Sequence, residues 1–228
     1  MAEVRFTTYI FDLDGTLLDT LPDLTQLANR ILRDVGYPER TESEILSFVG
    51  NGVRRLMRQA LPDDAPEDVV ERAMRIWNEH FQEYHQLTEP YPGVVALLEA
   101  LRAQGARIGV VSNKLQAGVD QIVSMKLPGL VDDMLGESPA VPRKPDPAGI
   151  KMMMASLGGT PQTTMYVGDS PSDMKAARDA GVYAVAVTWG YHDREDFEAP
   201  NMDAAVQPNV IVDTPEQILT LTPADADA

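Results

Sequence analysis

Apolar residues recur at helical spacing in the first third of the chain and at strand spacing beyond it, and the change falls near Tyr91-Pro92-Gly93. Leu24, Leu27, Ala28, Ile31, Leu32 and Val35 follow a three-to-four-residue period that Gly36 and Pro38 stop. Val70, Ala73, Trp77, Phe81 and Tyr84 repeat that period after Pro66, and residues 43–61 between them carry a further run broken at Gly50-Asn51-Gly52. From Pro22 to Leu87 the pattern predicts three or four amphipathic helices and no strand. After Gly93 it predicts alternation: a helix over 94–104, a strand over 107–111, a weaker strand near 131–135 and a helix around 148–157. A strand over 163–167, a helix over 173–180 ending at Gly181, and strands over 183–187 and 209–212 follow. One more strand, ending in Tyr9-Ile10-Phe11, precedes the helical stretch. Strands alternating with helices imply an α/β fold whose parallel sheet carries helices on both faces. A helical insertion of roughly 70 residues interrupts that fold after its first strand.

Two acids directly continue the first strand, in Phe11-Asp12-Leu13-Asp14-Gly15-Thr16. A strand keeps side chains i and i+2 on one face, so Asp12 and Asp14 converge unless the chain bends after Asp12. Gly15 lets the chain turn sharply there. Two bare carboxylates that close repel, so one carries a proton or a cation sits between them. The pair therefore suits a hard divalent cation with oxygen ligands, a nucleophile beside a proton donor, or both. In an open parallel sheet the ligand crevice lies beyond the carboxyl ends of the strands. The insertion begins just after the acidic pair and is expected to lie over Asp12 as a lid. Polar groups follow two other strands, in Ser112-Asn113-Lys114 and in Gly168-Asp169-Ser170, with Asp173 further on; Lys144 stands in Pro142-Arg143-Lys144-Pro145-Asp146-Pro147. Taken singly, these are ordinary turn, cap and surface residues.

Charge narrows the choice of ligand. Lys and Arg number 19 against 35 Asp and Glu, for a net charge of −16, which repels nucleic-acid phosphates and anionic lipid. Neither nucleic acid nor membrane is an expected partner, and an anionic substrate requires a local positive site or a metal. The absence of Cys excludes disulfides, zinc thiolates and thiol catalysis. Met1-Ala2-Glu3-Val4-Arg5 runs into the first strand without an apolar signal core, and no stretch of about 18 apolar residues occurs. A cytoplasmic protein is the expectation, with residues 222–228 a frayed acidic tail.

Taken together and in order, the motifs resemble those of the haloacid dehalogenase superfamily of phosphotransferases, over nearly the whole chain from Tyr9 to about Val212. Asp12-Leu13-Asp14-Gly15-Thr16 is similar to the first motif of that family, Ser112 to the second, Lys144 to the third, and Gly168-Asp169-Ser170-Pro171-Ser172-Asp173 to the fourth. The insertion between the first two resembles the helical cap of the subgroup that includes phosphoglycolate phosphatases. The resemblance implies a Rossmann-like, doubly wound core formed by residues 1–18 and 90–228, with an all-α cap over 19–89. It also implies a Mg²⁺-dependent phosphatase of small phosphorylated metabolites, with 2-phosphoglycolate first among its substrates. Mg²⁺ would be held by the carboxylates of Asp12 and Asp169 and the main-chain carbonyl of Asp14, with Asp173 ligating directly or through water. Asp12 would attack phosphorus to give an aspartyl-phosphate, and Asp14 would protonate the leaving oxygen and then activate water. Ser112 and backbone N–H groups near Asp14 and Asn113 would cradle the phosphoryl oxygens, while Lys144 offsets negative charge.

Departures inside the superfamily sharpen this reading. Its dehalogenases lack the second aspartate, so Asp14 favours phosphoryl chemistry. Its phosphonate hydrolases rely on a cap lysine, and residues 21–87 contain none. Phe48-Val49-Gly50-Asn51-Gly52-Val53-Arg54-Arg55-Leu56 closely resembles the corresponding stretch of phosphoglycolate phosphatases. Its glycines predict a break, and a helix restarting there presents free N–H groups to a small anion. Gly50, Asn51, Gly52 and Arg54, or its neighbour Arg55, are thus candidates to bind a second carboxylate on the substrate. Thr188-Trp189-Gly190-Tyr191-His192 also resembles those phosphatases, whereas His80 and His85 share no helical face that suits a metal. The competing readings are a phosphosugar mutase, a pyrophosphate or nucleotide phosphatase, and, from a different class, a phospho-acceptor signalling receiver domain.

Overall fold

A computed structural model describes residues 6–50, 52–198 and 203–222. The chain divides into two compact units, residues 1–19 with 90–228 and residues 20–89. The first unit contains strands β1 (Thr8–Phe11), β4 (Arg107–Leu115), β5 (Asp133–Glu137), β6 (Thr164–Gly168), β7 (Tyr183–Val187) and β8 (Val210–Val212). Two-residue strands β2 (Leu18–Asp19) and β3 (Glu89–Pro90) stand at either end of the insertion. The six longer strands form one sheet in the order β5-β4-β1-β6-β7-β8. All its pairings are parallel, with Thr8 opposite both Arg107 and Thr164.

Alternation along the strands feeds two apolar layers. Tyr9, Phe11, Ile108, Val110, Met165, Val167 and Val185 point to one face, against Leu97, Leu98 and Leu101 of α5 (Val94–Ala103) and Val119 and Ile122 of α6 (Gln116–Lys126). Ile10, Val111, Tyr166, Ala184 and Ala186 point to the other, against Ile150 and Met153 of α7 (Ala148–Ser156) and Met174 and Ala177 of α8 (Pro171–Ala180). Met153 is the buried member of the three consecutive methionines, while Met152 is exposed. Short helices α9 (Glu195–Glu198) and α10 (Pro215–Ile218) complete this unit.

Among the described residues, 20–89 hold four α-helices: α1 (Leu21–Val35), α2 (Glu42–Phe48), α3 (Val53–Ala60) and α4 (Glu67–His80). Leu27, Ala28, Ile31, Leu32, Ile45, Leu56, Met57, Val70 and Ala73 are among its buried positions. Buried Asp23 accepts hydrogen bonds from the backbone N–H groups of Leu87 and Thr88 and from the Thr88 hydroxyl, so the unit's last residues are tied to its first helix.

Several boundaries differ from those the sequence predicts, those of β4, β5 and α8 among them. β4 runs on to Leu115 instead of stopping at Val111, because an irregularity between those residues lets pairing resume at Leu115 opposite Glu137. β5 lies about two residues later than its weak apolar signal. α8 starts at Pro171, because Ser170 and Asp173 close a capping box and Asp173 is the third helical residue.

Candidate active site

The chain does bend after Asp12. The Asp12 N–H still bonds to the Val167 carbonyl across the sheet, at 2.9 Å, but the Leu13 carbonyl then accepts from the N–H groups of Leu17 and Leu18, and the chain coils back. Gly15 enables this with φ of +86°, and a Cβ there would run into the Asp169 carboxylate and the Tyr191 ring. Asp12 and Asp14 consequently meet different lysines. Asp12 Oδ1 lies 2.7 Å from Lys144 Nζ, and Asp14 Oδ1 lies 2.8 Å from Lys114 Nζ.

Lys144 is buried and is held at both ends. Its ammonium pairs with Asp173 Oδ1 at 2.5 Å and donates to the Tyr166 hydroxyl at 3.0 Å. The Asn113 side chain grips its backbone, donating to the Lys144 carbonyl at 3.2 Å and accepting from its N–H at 2.7 Å. The Asn113 side chain, on a residue expected near the phosphoryl oxygens, thus positions a lysine. Asp173 is fully engaged: Oδ1 accepts from Lys144 and Tyr166, and Oδ2 from the Ser170 hydroxyl at 2.5 Å and its N–H at 3.1 Å. Asp169 accepts from the Thr16 hydroxyl at 3.0 Å and from the Tyr191 N–H at 2.8 Å, while Trp189 Nε1 donates to the Thr16 carbonyl. Gly190 lets this loop press against Gly15, since a Cβ at 190 would meet the Gly15 carbonyl. Ser112 Oγ accepts from the Lys114 N–H at 3.1 Å and lies 3.5 Å from Asp14 Oδ2.

Carboxylate oxygens of Asp12, Asp169 and Asp173 all fall within 4.8 Å of one another, and all three residues are buried. Burial raises Asp12 well above the usual carboxylate range; Lys144 counteracts this, and Asp173 and Asp169 add to it. Burial, then the charge of Asp173, pushes Asp169 up to about 7. For Lys144 burial works against the ammonium, but Asp12 and Asp173 outweigh it and hold the charge. Three acids thus share one ammonium, and Asp12 Oδ1, although beside Lys144, receives no aligned hydrogen bond. A buried cluster of hard oxygens with charge left unbalanced fits a divalent cation. The Asp14 side chain stands outside this cluster.

The candidate anion site in the helical unit has a different environment. Gly50 and Gly52 both have positive φ, and Gly52 caps α3; Asn51 lies outside the described residues. Arg54 is committed to ion pairs with Glu67 and, at 2.7 Å, with Glu71. Lys114, Thr16 and Tyr191 lie in stretches that the sequence singles out without giving these residues a role, and Tyr166 lies outside every motif. Tyr166 reads as core from its place in a buried strand, and its hydroxyl finds partners in Lys144 and Asp173.

An acid cluster at the carboxyl ends of β1 and β6, with a buried lysine between them, defines a site of the phosphoryl-transfer kind. Residues 9–187 match the model of the haloacid dehalogenase-like hydrolases, and the chain belongs to that family. A phosphoglycolate phosphatase of Pseudomonas putida is 37% identical over 201 residues, covering 85% of this chain and 74% of the relative. One of Aliivibrio fischeri is 32% identical over 219 residues, 92% of this chain and 94% of the relative. The crystal structure of a predicted phosphoglycolate phosphatase from Haemophilus somnus 129pt superposes with a TM-score of 0.83 at 33% identity, covering 94% of this chain and 97% of that one. Among the described residues no helix is long and apolar enough to cross a membrane.

Proposed function

We propose that this chain is a Mg²⁺-dependent phosphatase that hydrolyses 2-phosphoglycolate through an aspartyl-phosphate on Asp12. The observation that carries the mechanism is the divergence of the two acids, Asp12 into the buried Lys144 cluster and Asp14 out toward Lys114. The names of the relatives support the substrate.

Asp12, Asp169 and the Asp14 carbonyl would hold Mg²⁺, which supplies the charge neutralisation that a phosphate dianion needs before an anionic nucleophile approaches it. Asp12 is the nucleophile, and Lys144 orients it and balances its charge. Asp173 acts indirectly, because its oxygens are already taken by Lys144, Tyr166 and Ser170. Its work is to fix Lys144. Ser112 and backbone N–H groups at the β1 and β4 ends receive the phosphoryl oxygens. Asp14 transfers a proton to the leaving alkoxide, then as carboxylate takes one from the water that cleaves the acyl phosphate.

A screen of phosphate release with Mg²⁺ and with EDTA, across 2-phosphoglycolate, pyrophosphate, sugar phosphates and nucleoside monophosphates, tests the reading. The highest kcat/KM is expected for 2-phosphoglycolate, and only with Mg²⁺. Phosphate release from none of them would refute phosphatase activity, and preference for another ester would refute the substrate.

A further inference from the structure

Lys114 is a cation at the site with no part in the chemistry above. Its position is built by three neighbours. The Ser112 hydroxyl accepts from its N–H, fixing the end of β4. Gly118 of α6 has no side chain to occupy the space beside the Lys114 stem: a Cβ there would lie 3.3 to 3.5 Å from Cγ, Cδ and Cε. The stem therefore lies across the first turn of α6, and Nζ reaches Asp14 Oδ1 at 2.8 Å. Both side chains stay partly open, at 32% for Lys114 and 20% for Asp14, so a small ligand can reach them.

We propose that Lys114 is the specificity-determining residue that binds the carboxylate of the leaving group, an inference that rests on the phosphoglycolate reading. A proton donor must lie within about 2.6–3.2 Å of the ester oxygen it serves. The cation paired with that donor is then one hydrogen-bond step further along the leaving group. Glycolate carries its carboxylate a single carbon from the ester oxygen, within reach of an ammonium so placed. Two other candidate cations are already engaged: Lys144 is buried between Asp12 and Asp173, and Arg54 is paired with Glu67 and Glu71. A substrate carboxylate takes Lys114 from Asp14 and leaves Asp14 to the ester oxygen. An ester without the second charge gains no such contact.

The test compares 2-phosphoglycolate with 2-hydroxyethyl phosphate, in which a neutral hydroxymethyl group replaces the carboxylate. Wild type is expected to prefer the former. In Lys114→Met the ratio of the two kcat/KM values should fall about 30-fold, the scale of one lost charge-assisted hydrogen bond, whereas Lys114→Arg should keep most of the preference. Because the ratio is read, a loss common to both esters through Asp14 cancels. Calorimetric binding of both esters to Asp12→Asn, with and without Lys114→Met, supplies the same ratio if the single variant is too slow to assay. A ratio unchanged within about threefold would overturn the proposal. A wild-type enzyme with no preference for 2-phosphoglycolate would instead overturn the substrate reading beneath it.

Discussion

Gly15 shows how much of the site one backbone angle sets. Its φ of +86° turns the chain between Asp14 and Thr16, and its bare α-carbon gives Asp169 and Tyr191 the space they occupy. Gly15→Ala should cost about 2 kcal/mol or more, from left-handed strain plus displacement of a buried carboxylate. Urea denaturation would measure it, and a loss below about 0.5 kcal/mol would show that the loop gives way freely. The acidic pair was legible in the sequence because charge directly after an apolar strand has few bland explanations. Lys114 was not. Its aim depends on Ser112, two residues before it, and on the missing side chain of Gly118, one helical turn after it, and spacing along one strand carries neither. Tyr166 was hidden for the opposite reason: its ring reads as core, and only the fold brings its hydroxyl to Lys144 and Asp173.

At the scale of elements, α8 joins a helix start to the chemistry. Ser170 caps the helix, and the Asp173 oxygen that closes the capping box belongs to the carboxylate whose other oxygen holds Lys144. Ser170→Ala removes both a cap and a hydrogen bond to a buried charged oxygen. It should destabilise the protein by about 2–3 kcal/mol, whereas Ser170→Thr, which keeps a hydroxyl, should cost less than about 1 kcal/mol. Equal losses for the two variants in chemical denaturation would contradict this dual role. Periodicity located the strands and helices of both units well, because two-faced strands and one-faced helices leave different apolar patterns. It failed where polar residues continue an element, at Ser112-Asn113-Lys114 in β4 and at Pro171-Ser172 in α8. Arg54 was legible as a cation near a helix start, but its partners Glu67 and Glu71 come from the start of another helix.

Across the whole molecule, an excess of acid makes the site's charge balance matter. The net charge is −16, and three carboxylates are buried around one ammonium. Asp169 sits at about 7 in the folded protein against a usual 3.8, so the fold holds that proton more tightly than the unfolded chain does. Stability without metal should therefore fall as pH rises from about 4 to about 7, with the raised Asp12 carboxyl acting in the same direction. A divalent cation competes with the proton, so the rise in Tm on adding Mg²⁺ should be larger at about pH 8 than at about pH 5. Melting curves in EDTA and in saturating Mg²⁺ across that range would show it, and a shift independent of pH would place the cation elsewhere. The most direct measurement of all concerns Asp12. An acyl phosphate is reduced by borohydride to the corresponding alcohol, so enzyme quenched with borohydride during turnover of 2-phosphoglycolate should carry homoserine at position 12, read by peptide mass spectrometry. Homoserine at another carboxylate, or at none during rapid turnover, would contradict Asp12 as the nucleophile.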